Sequence, residues 1–163
     1  FGGDAAKAHV PLVGAHRIEG VEVLVAQGRT PMGSAFAMAR QWLEDKELVP
    51  SRAYRPVLVL VSDGEPTDDW QEPLAALKAS ERGQKATRFA MAIGADADRA
   101  MLRQFTNDLE APVFEADGVR DIVKFFRAVT MSVMARSTSG SPNTAQPLGM
   151  SDDLEDDLDL DAL

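Results

Sequence analysis

Residues 57–64 read Val57-Leu58-Val59-Leu60-Val61-Ser62-Asp63-Gly64, an unbroken apolar run that ends in a polar turn. Branched residues without polar alternation are typical of a strand that is buried on both faces. A second run of this kind is Phe89–Ile93, which also ends in glycine and acidic residues, and a weaker strand is predicted at Pro112–Glu115. Strands of this type belong to parallel sheets that helices cover on both sides.

Helical periodicity fills the segments between the predicted strands. Thr30-Pro31 predicts a helix start, with threonine as the N-cap and proline as the first helical residue. A second helix is predicted at residues 69–82, with Asp68 and Asp69 as its caps. A short helix is predicted at residues 98–105. The last predicted helix begins near residue 119 and has the apolar stripe Ile122, Val123, Phe126, Val129 and Val133.

Strands and helices therefore alternate along the chain, which is the order of an α/β fold with a parallel sheet. The fold class that we predict is a three-layer, doubly wound, mostly parallel sheet with helices on both faces. Before the first helix, Ala8–Leu12 and Val21–Val25 are predicted to be short strands or strand ends.

The negative charge of the chain is concentrated near residue 163. The formal net charge is −9, and seven of the 26 acidic residues lie in residues 151–163, which contain no basic residue. The remainder is nearly neutral and lacks the basic face that a nucleic-acid partner requires. The chain contains no cysteine, which fits a cytoplasmic location, and no apolar run approaches the length of a membrane span. We therefore expect neither a nucleic-acid nor a membrane partner.

The composition divides the chain into three parts. Residues 1–136 form the candidate domain, residues 137–150 predict a flexible linker, and residues 151–163 predict a disordered acidic tail. Acidic residues that alternate with leucine suit a basic, apolar groove on a partner or on the domain itself. A purely solubilising tail is the alternative. The leucines concerned are Leu154, Leu158, Leu160 and Leu163.

Two polar segments are expected at the carboxyl edge of the sheet, where open parallel sheets bind ligands. Gly28–Gly33 enters the first helix, and Ser62–Asp68 follows the most apolar strand. The hydroxyl of Thr30 and the carboxylate of Asp63 would there be hard oxygen ligands of the kind that Mg²⁺ prefers. Taken singly, such a threonine is most often only a helix cap, and such an aspartate is most often only a turn residue.

Together, the two segments resemble the metal-ion-dependent adhesion site of the von Willebrand factor A (VWA) family. The resemblance consists of a Gly-x-Thr-Pro-x-Gly loop that opens a helix, followed by an apolar strand that ends in Ser-Asp-Gly. It implies a Rossmann-like VWA fold over residues 1–137, with Thr30 and Asp63 as ligands of Mg²⁺ or another divalent cation. The segments Ala92–Asp98 and Met101–Phe105 are similar to bacterial tellurium-resistance proteins of the TerY type.

One family motif does not occur in this sequence. The principal metal loop of the family, Asp-x-Ser-x-Ser, is absent, and Phe1-Gly2-Gly3 resembles the end of the family's second strand. We therefore expect the first, central strand of the fold to be missing from this chain. Val57–Val61 should then have an unpaired edge. Thr30 and Asp63 alone should bind the cation only weakly.

The resemblance implies a protein-binding module that is not an enzyme, in which a partner's carboxylate completes the coordination of the cation. The TerY-like features imply a bacterial, cytoplasmic scaffold or regulator that is linked to tellurite or stress response and to phosphorylation. Two alternatives stay open. One is a Mg²⁺-dependent phosphatase that uses Asp63, Glu65 and Asp68, and the other is a nucleotide-binding doubly wound domain. The sequence has no P-loop and no Gly-x-Gly-x-x-Gly phosphate cradle, which weighs against both.

Overall fold

The computed structural model describes residues 2–21, 23, 28–106 and 113–140. These residues contain a short 3-10 helix at Ala15–Arg17 and no helix that combines the length and the hydropathy needed to cross a membrane. The strands are β1 (Val57–Ser62), β2 (Thr87–Ile93) and β3 (Phe114–Ala116). The α-helices are α1 (Met32–Glu44), α2 (Gln71–Ala79), α3 (Glu81–Lys85), α4 (Arg99–Phe105) and α5 (Val119–Thr138).

The three strands form a parallel sheet in the order β1-β2-β3. The register pairs Val57 with Thr87 at the start of β1, and Met91 with Phe114 at the start of β3. All three predicted strands are confirmed, although Pro112 lies outside the described residues and β3 extends to Ala116. Along its other edge, β1 pairs with no strand of the described residues.

Each face of the sheet packs against helices, because alternate residues of a strand point to opposite sides. On one side, Leu60 of β1 and Ala90 and Ala92 of β2 join a cluster that α1, α2 and α4 complete. On the other side, the sheet packs against α5. That second cluster contains Phe89, Met91, Ala116, Phe125 and Val129. Helix, sheet and helix thus form three layers, which confirms the predicted α/β, doubly wound fold class.

The face that α5 buries agrees only in part with the predicted stripe, of which Ile122 and Val129 pack against the sheet. Phe125, Ala128 and Val129 are buried, whereas Phe126 is 44% exposed and Val133 is 40% exposed. Each helical residue turns by about 100°, so a stripe centred on Phe125 lies well away from one centred on Phe126. The helix also continues to Thr138, two residues into the predicted linker at 137–150.

The helix predicted at residues 69–82 is two helices, separated at Ser80. The backbone of Ser80 is extended, and its hydroxyl accepts from the amide of Gly83 at 3.2 Å and so caps α3. A Cβ on Gly83 would lie 1.9 Å from the carbonyl oxygen of Leu77, so only glycine permits this sharp break. Glu44, at the end of α1, accepts from the Arg82 amide at 2.8 Å and ties α1 to α3.

A buried arginine joins β2 to the same helices. Arg88 is only 5% exposed, and it donates to the carbonyl oxygens of Phe105 and Gly83, each at 2.7 Å. Burial lowers the pKa of Arg88, and the positive charge of Arg55 lowers it further. The two carbonyl acceptors offset part of the cost of burying this guanidinium.

The strands predicted before α1 are not present where the structure can test them. Ala8–Leu12 is irregular and mostly exposed, so this prediction was wrong. Pro11 within that segment donates no backbone hydrogen bond, which disfavours pairing in a sheet. Of the predicted strand Val21–Val25, only Val21 and Val23 lie within the described residues, and both are exposed and irregular.

Candidate functional site

The candidate site lies beyond the carboxyl end of β1. The strand ends at Ser62, whose buried hydroxyl donates to the carbonyl oxygen of Gly64 at 3.2 Å and holds the turn closed. Asp63, between them, is exposed. The turn therefore presents the carboxylate of Asp63 at the rim of the sheet rather than in its core.

The loop before α1 is bound to the loop after β1 by a reciprocal pair of hydrogen bonds. The amide of Thr67 donates to the carbonyl oxygen of Thr30, and the amide of Thr30 donates to the hydroxyl of Thr67, both at 3.0 Å. A Cβ on Gly64 would lie 3.6 Å from the Thr30 hydroxyl oxygen. The Thr30 hydroxyl is thus next to the residue that follows Asp63, and the structure brings the two predicted segments together.

Thr30 is not the N-cap of α1, and Pro31 is not its first helical residue. The cap position is occupied by Pro31, which has no side-chain acceptor. The amides of Gly33 and Ser34 donate instead to the two carboxylate oxygens of Asp68, at 2.8 and 2.9 Å. These are the second and third amides of the helix, which a capping side chain normally satisfies. Asp68 therefore caps α1 from a distant part of the chain.

The predicted role of Asp68 and Asp69 as caps of the following helix is wrong for the same reason. The N-cap of α2 is Trp70, which makes no capping hydrogen bond with its side chain. Asp69 contributes its backbone, since a Cβ on Gly33 would lie 2.0 Å from the Asp69 carbonyl oxygen. Glycine at position 33 is what allows α1 to approach this loop so closely.

The oxygen ligands at the rim are of the type that a hard cation prefers, but they are few. Within the described residues, neither the Thr30 hydroxyl nor the Asp63 carboxylate takes part in a hydrogen bond. Mg²⁺ prefers such oxygens and retains several water molecules, so two protein ligands are compatible with it. The described residues contain no group of three or more histidine, cysteine or acidic side chains that could hold a metal ion. The residues thus fit a divalent cation in type, with too few ligands for tight binding.

Residues that sequence reasoning did not identify hold the neighbouring part of the same edge. Arg99 makes two hydrogen bonds to the carboxylate of Glu115, at 2.8 and 3.1 Å, and donates to the carbonyl oxygen of Gly94 at 2.9 Å. These contacts link the loop after β2 to β3. Asp98 caps α4, since its carboxylate accepts from the Met101 amide at 2.9 Å. No sequence motif relates Arg99 to Glu115, so only the folded structure shows that these two residues are paired.

Comparison with curated proteins and with solved structures gives no match. A family model, described as the von Willebrand factor type A domain, matches residues 16–128, which is more than half of the chain. The matched segment contains the loop before α1, the turn after β1 and the whole parallel sheet. The chain belongs to the von Willebrand factor type A domain family.

Proposed function

We propose that the chain is a metal-ion-dependent protein-binding module, with Thr30 and Asp63 as the protein's ligands for Mg²⁺ or another divalent cation. VWA domains in general are metal-dependent protein-interaction modules rather than enzymes. The observation that carries the proposal is the reciprocal Thr30–Thr67 hydrogen bonding, which keeps the Thr30 hydroxyl beside the turn of Asp63.

The rim residues differ in whether their side chains make structural hydrogen bonds, and this difference supports the assignment. Asp68 satisfies two helix amides with its two carboxylate oxygens, so its charge is used to hold α1 in place. Asp63 has no such structural partner within the described residues and is exposed to solvent. Thr67 positions Thr30 through its hydroxyl. Thr67 and Asp68 thus hold the two loops in place. The side chains of Thr30 and Asp63 remain available to bind the cation.

A bound cation would supply an open coordination position that a carboxylate of a partner protein can fill. In this proposal the chain orients one hydroxyl and one carboxylate toward that position from two loops that are hydrogen-bonded to each other. The resemblance to TerY-like proteins extends the proposal to a bacterial, cytoplasmic scaffold or regulator in a tellurite or stress response that involves phosphorylation. The phosphatase alternative gains no support, because Asp68, one of its three carboxylates, already accepts two amides.

The proposal is tested by titrating Mg²⁺ into the protein and following the Gly64 amide resonance by NMR. We expect the resonance to shift with low affinity, and the shift to disappear in Asp63→Ala. Asp96→Ala is the matched control, because it removes another exposed carboxylate, from the loop after β2. The free energy of unfolding of both variants should lie within about 0.5 kcal/mol of that of the parent, as is usual for substitutions at exposed positions. An unchanged titration in Asp63→Ala would refute the assignment of this residue.

The open coordination position is tested with acetate as the probe. Acetate should shift the Gly64 resonance further when Mg²⁺ is present, and should have no effect on it after chelation of the cation. A response to acetate that does not depend on Mg²⁺ contradicts the proposed mode of partner binding.

A further inference from the structure

The side of α5 that faces away from the sheet is unusually apolar. Val119, Met131 and Met134 are each at least 60% exposed, and Phe126 is 44% exposed. A shallow cavity of about 500 Å³ runs along this surface and is lined by Ile122, Val123, Phe126, Arg127, Thr130 and Met131. We call this surface the outer face of α5. Exposed apolar residues that lie side by side on one helix are typical of a binding surface.

The outer face is also basic. Arg120, Lys124 and Arg127 follow each other at spacings of four and three residues, so they form one row beside the apolar residues. The only acidic residue in α5 is Asp121, whose carboxylate accepts from the amides of Asp117 and Gly118 at the start of the helix. The occupant that fits this surface is therefore an acidic segment with apolar side chains.

We propose that residues 151–163 of this chain dock intramolecularly on the outer face of α5. The segment has the required chemistry, since it contains four leucines, seven acidic residues and no basic residue. Leu154 and Leu158 lie on one side if the segment becomes helical on docking. Their side chains then enter the groove around Phe126, and the flanking carboxylates lie along the row of Arg120 and Arg127. This inference does not depend on the proposed metal site.

The length of chain between the two surfaces permits this contact. Helix α5 ends at Thr138, and twelve residues separate it from Ser151. A flexible chain of that length has a root-mean-square span of about 19 Å. Phe126 lies about 18 Å back along the helix from Thr138, at 1.5 Å per residue. A tether that matches the span gives an effective concentration on the order of millimolar, so even a weak contact is well populated.

The methionines and the lack of cysteine provide a direct test. The chain contains no cysteine, so Ala162→Cys gives one site for a nitroxide spin label in the tail. Methyl resonances of isotope-labelled methionine then report proximity. We expect Met131 and Met134 to be broadened by the spin label, whereas Met32 and Met101, buried on the opposite side of the sheet, keep their line widths. Reduction of the nitroxide should restore the lost intensity.

Matched variants separate the apolar and the charged contributions. Replacing the four tail leucines by serine keeps every charge, and we expect it to abolish the broadening. Arg120→Glu with Arg127→Glu should do the same, whereas Arg40→Glu with Arg103→Glu, which reverses two exposed charges on α1 and α4, should leave it intact. Unchanged Met32 and Met101 shifts verify that each variant is folded. Salt should also reduce the broadening, since raising it from about 0.1 M to about 1 M shortens the Debye length from about 10 Å to about 3 Å.

Three results would overturn the proposal. The first is the absence of preferential broadening at Met131 and Met134. The second is broadening that persists in the leucine-to-serine variant, which would reduce the tail to a solvated charge. The third concerns a mixture of two proteins, one with the spin label but ordinary methionine, and one with isotope-labelled methionine but no spin label. Broadening of Met131 and Met134 in this mixture that equals the broadening within a single doubly labelled protein would contradict an intramolecular contact. That outcome would assign the outer face of α5 to a second copy of the chain.

Discussion

The capping of α1 by Asp68 leads to a quantitative prediction for Asp68→Ala. The substitution removes two charge-assisted hydrogen bonds, at 2.8 and 2.9 Å, from a partly buried position. Loss of an N-cap side chain costs about 0.5–2 kcal/mol, and loss of a hydrogen bond to a charged group about 1.5–3 kcal/mol. Because the two bonds also join distant segments, we expect the free energy of unfolding to fall by about 2–3 kcal/mol. At about 2–4 °C per kcal/mol, the melting temperature should fall by roughly 4–12 °C.

The assay is urea unfolding, with Asp69→Ala as the matched control. Asp69 is exposed and contributes only its backbone to the contact with Gly33, so its truncation should cost less than about 0.5 kcal/mol. Asp68→Asn keeps one acceptor oxygen and should fall between the two. Hydrogen exchange of the Gly33 and Ser34 amides should accelerate in Asp68→Ala before other α1 amides do. If Asp68→Ala and Asp69→Ala are equally stable and these two amides stay protected, the long-range cap does not exist in solution.

Three further substitutions test other contacts. Gly33→Ala places a Cβ 2.0 Å from the Asp69 carbonyl oxygen, so we expect it to destabilise the domain by about 1–3 kcal/mol in urea unfolding; Gly20→Ala, which meets no atom within 4 Å, should be nearly neutral. Ser80→Ala removes the cap of α3 and should cost about 1 kcal/mol; an unchanged unfolding midpoint would contradict that role. Arg88→Met leaves two carbonyl oxygens without their donor and should cost about 1–3 kcal/mol, measured the same way; a gain in stability would show that the cost of burying the guanidinium dominates.

The elements that depend on local chemistry could be predicted from the sequence. Val57–Val61 and Phe89–Ile93 are strands because their apolar residues are buried from both sides of one sheet. Asp98 caps the helix that directly follows it. In these cases the interacting residues are near one another in the chain, or the burial is indicated by composition alone.

The features that depend on contacts between distant parts of the chain could not be predicted from the sequence. Asp68 has the residue type and the position of a cap for α2, yet its carboxylate accepts from two amides of α1, whose own N-cap, Pro31, has no side-chain acceptor. In α5 the stripe predicted from the sequence includes Phe126, and only packing against β2 and β3 decides that Phe125 is buried instead. Thr30 and Asp63 lie in two loops that the Thr30–Thr67 hydrogen bonds join beyond the carboxyl end of β1. Their binding of a cation stays a prediction.

Helix α1 is fastened at both ends to different parts of the chain. Asp68 holds its first turn at the rim of the sheet, and Glu44 holds the Arg82 amide of α3 at its last residue. At 1.5 Å per residue, the thirteen residues of α1 span about 20 Å. A rigid helix that is held at both ends couples the positions of the two segments that hold it. The loop that contains Asp63 is therefore connected to α3 through Asp68 and α1, which makes α3 the place to look for a response to binding at the rim.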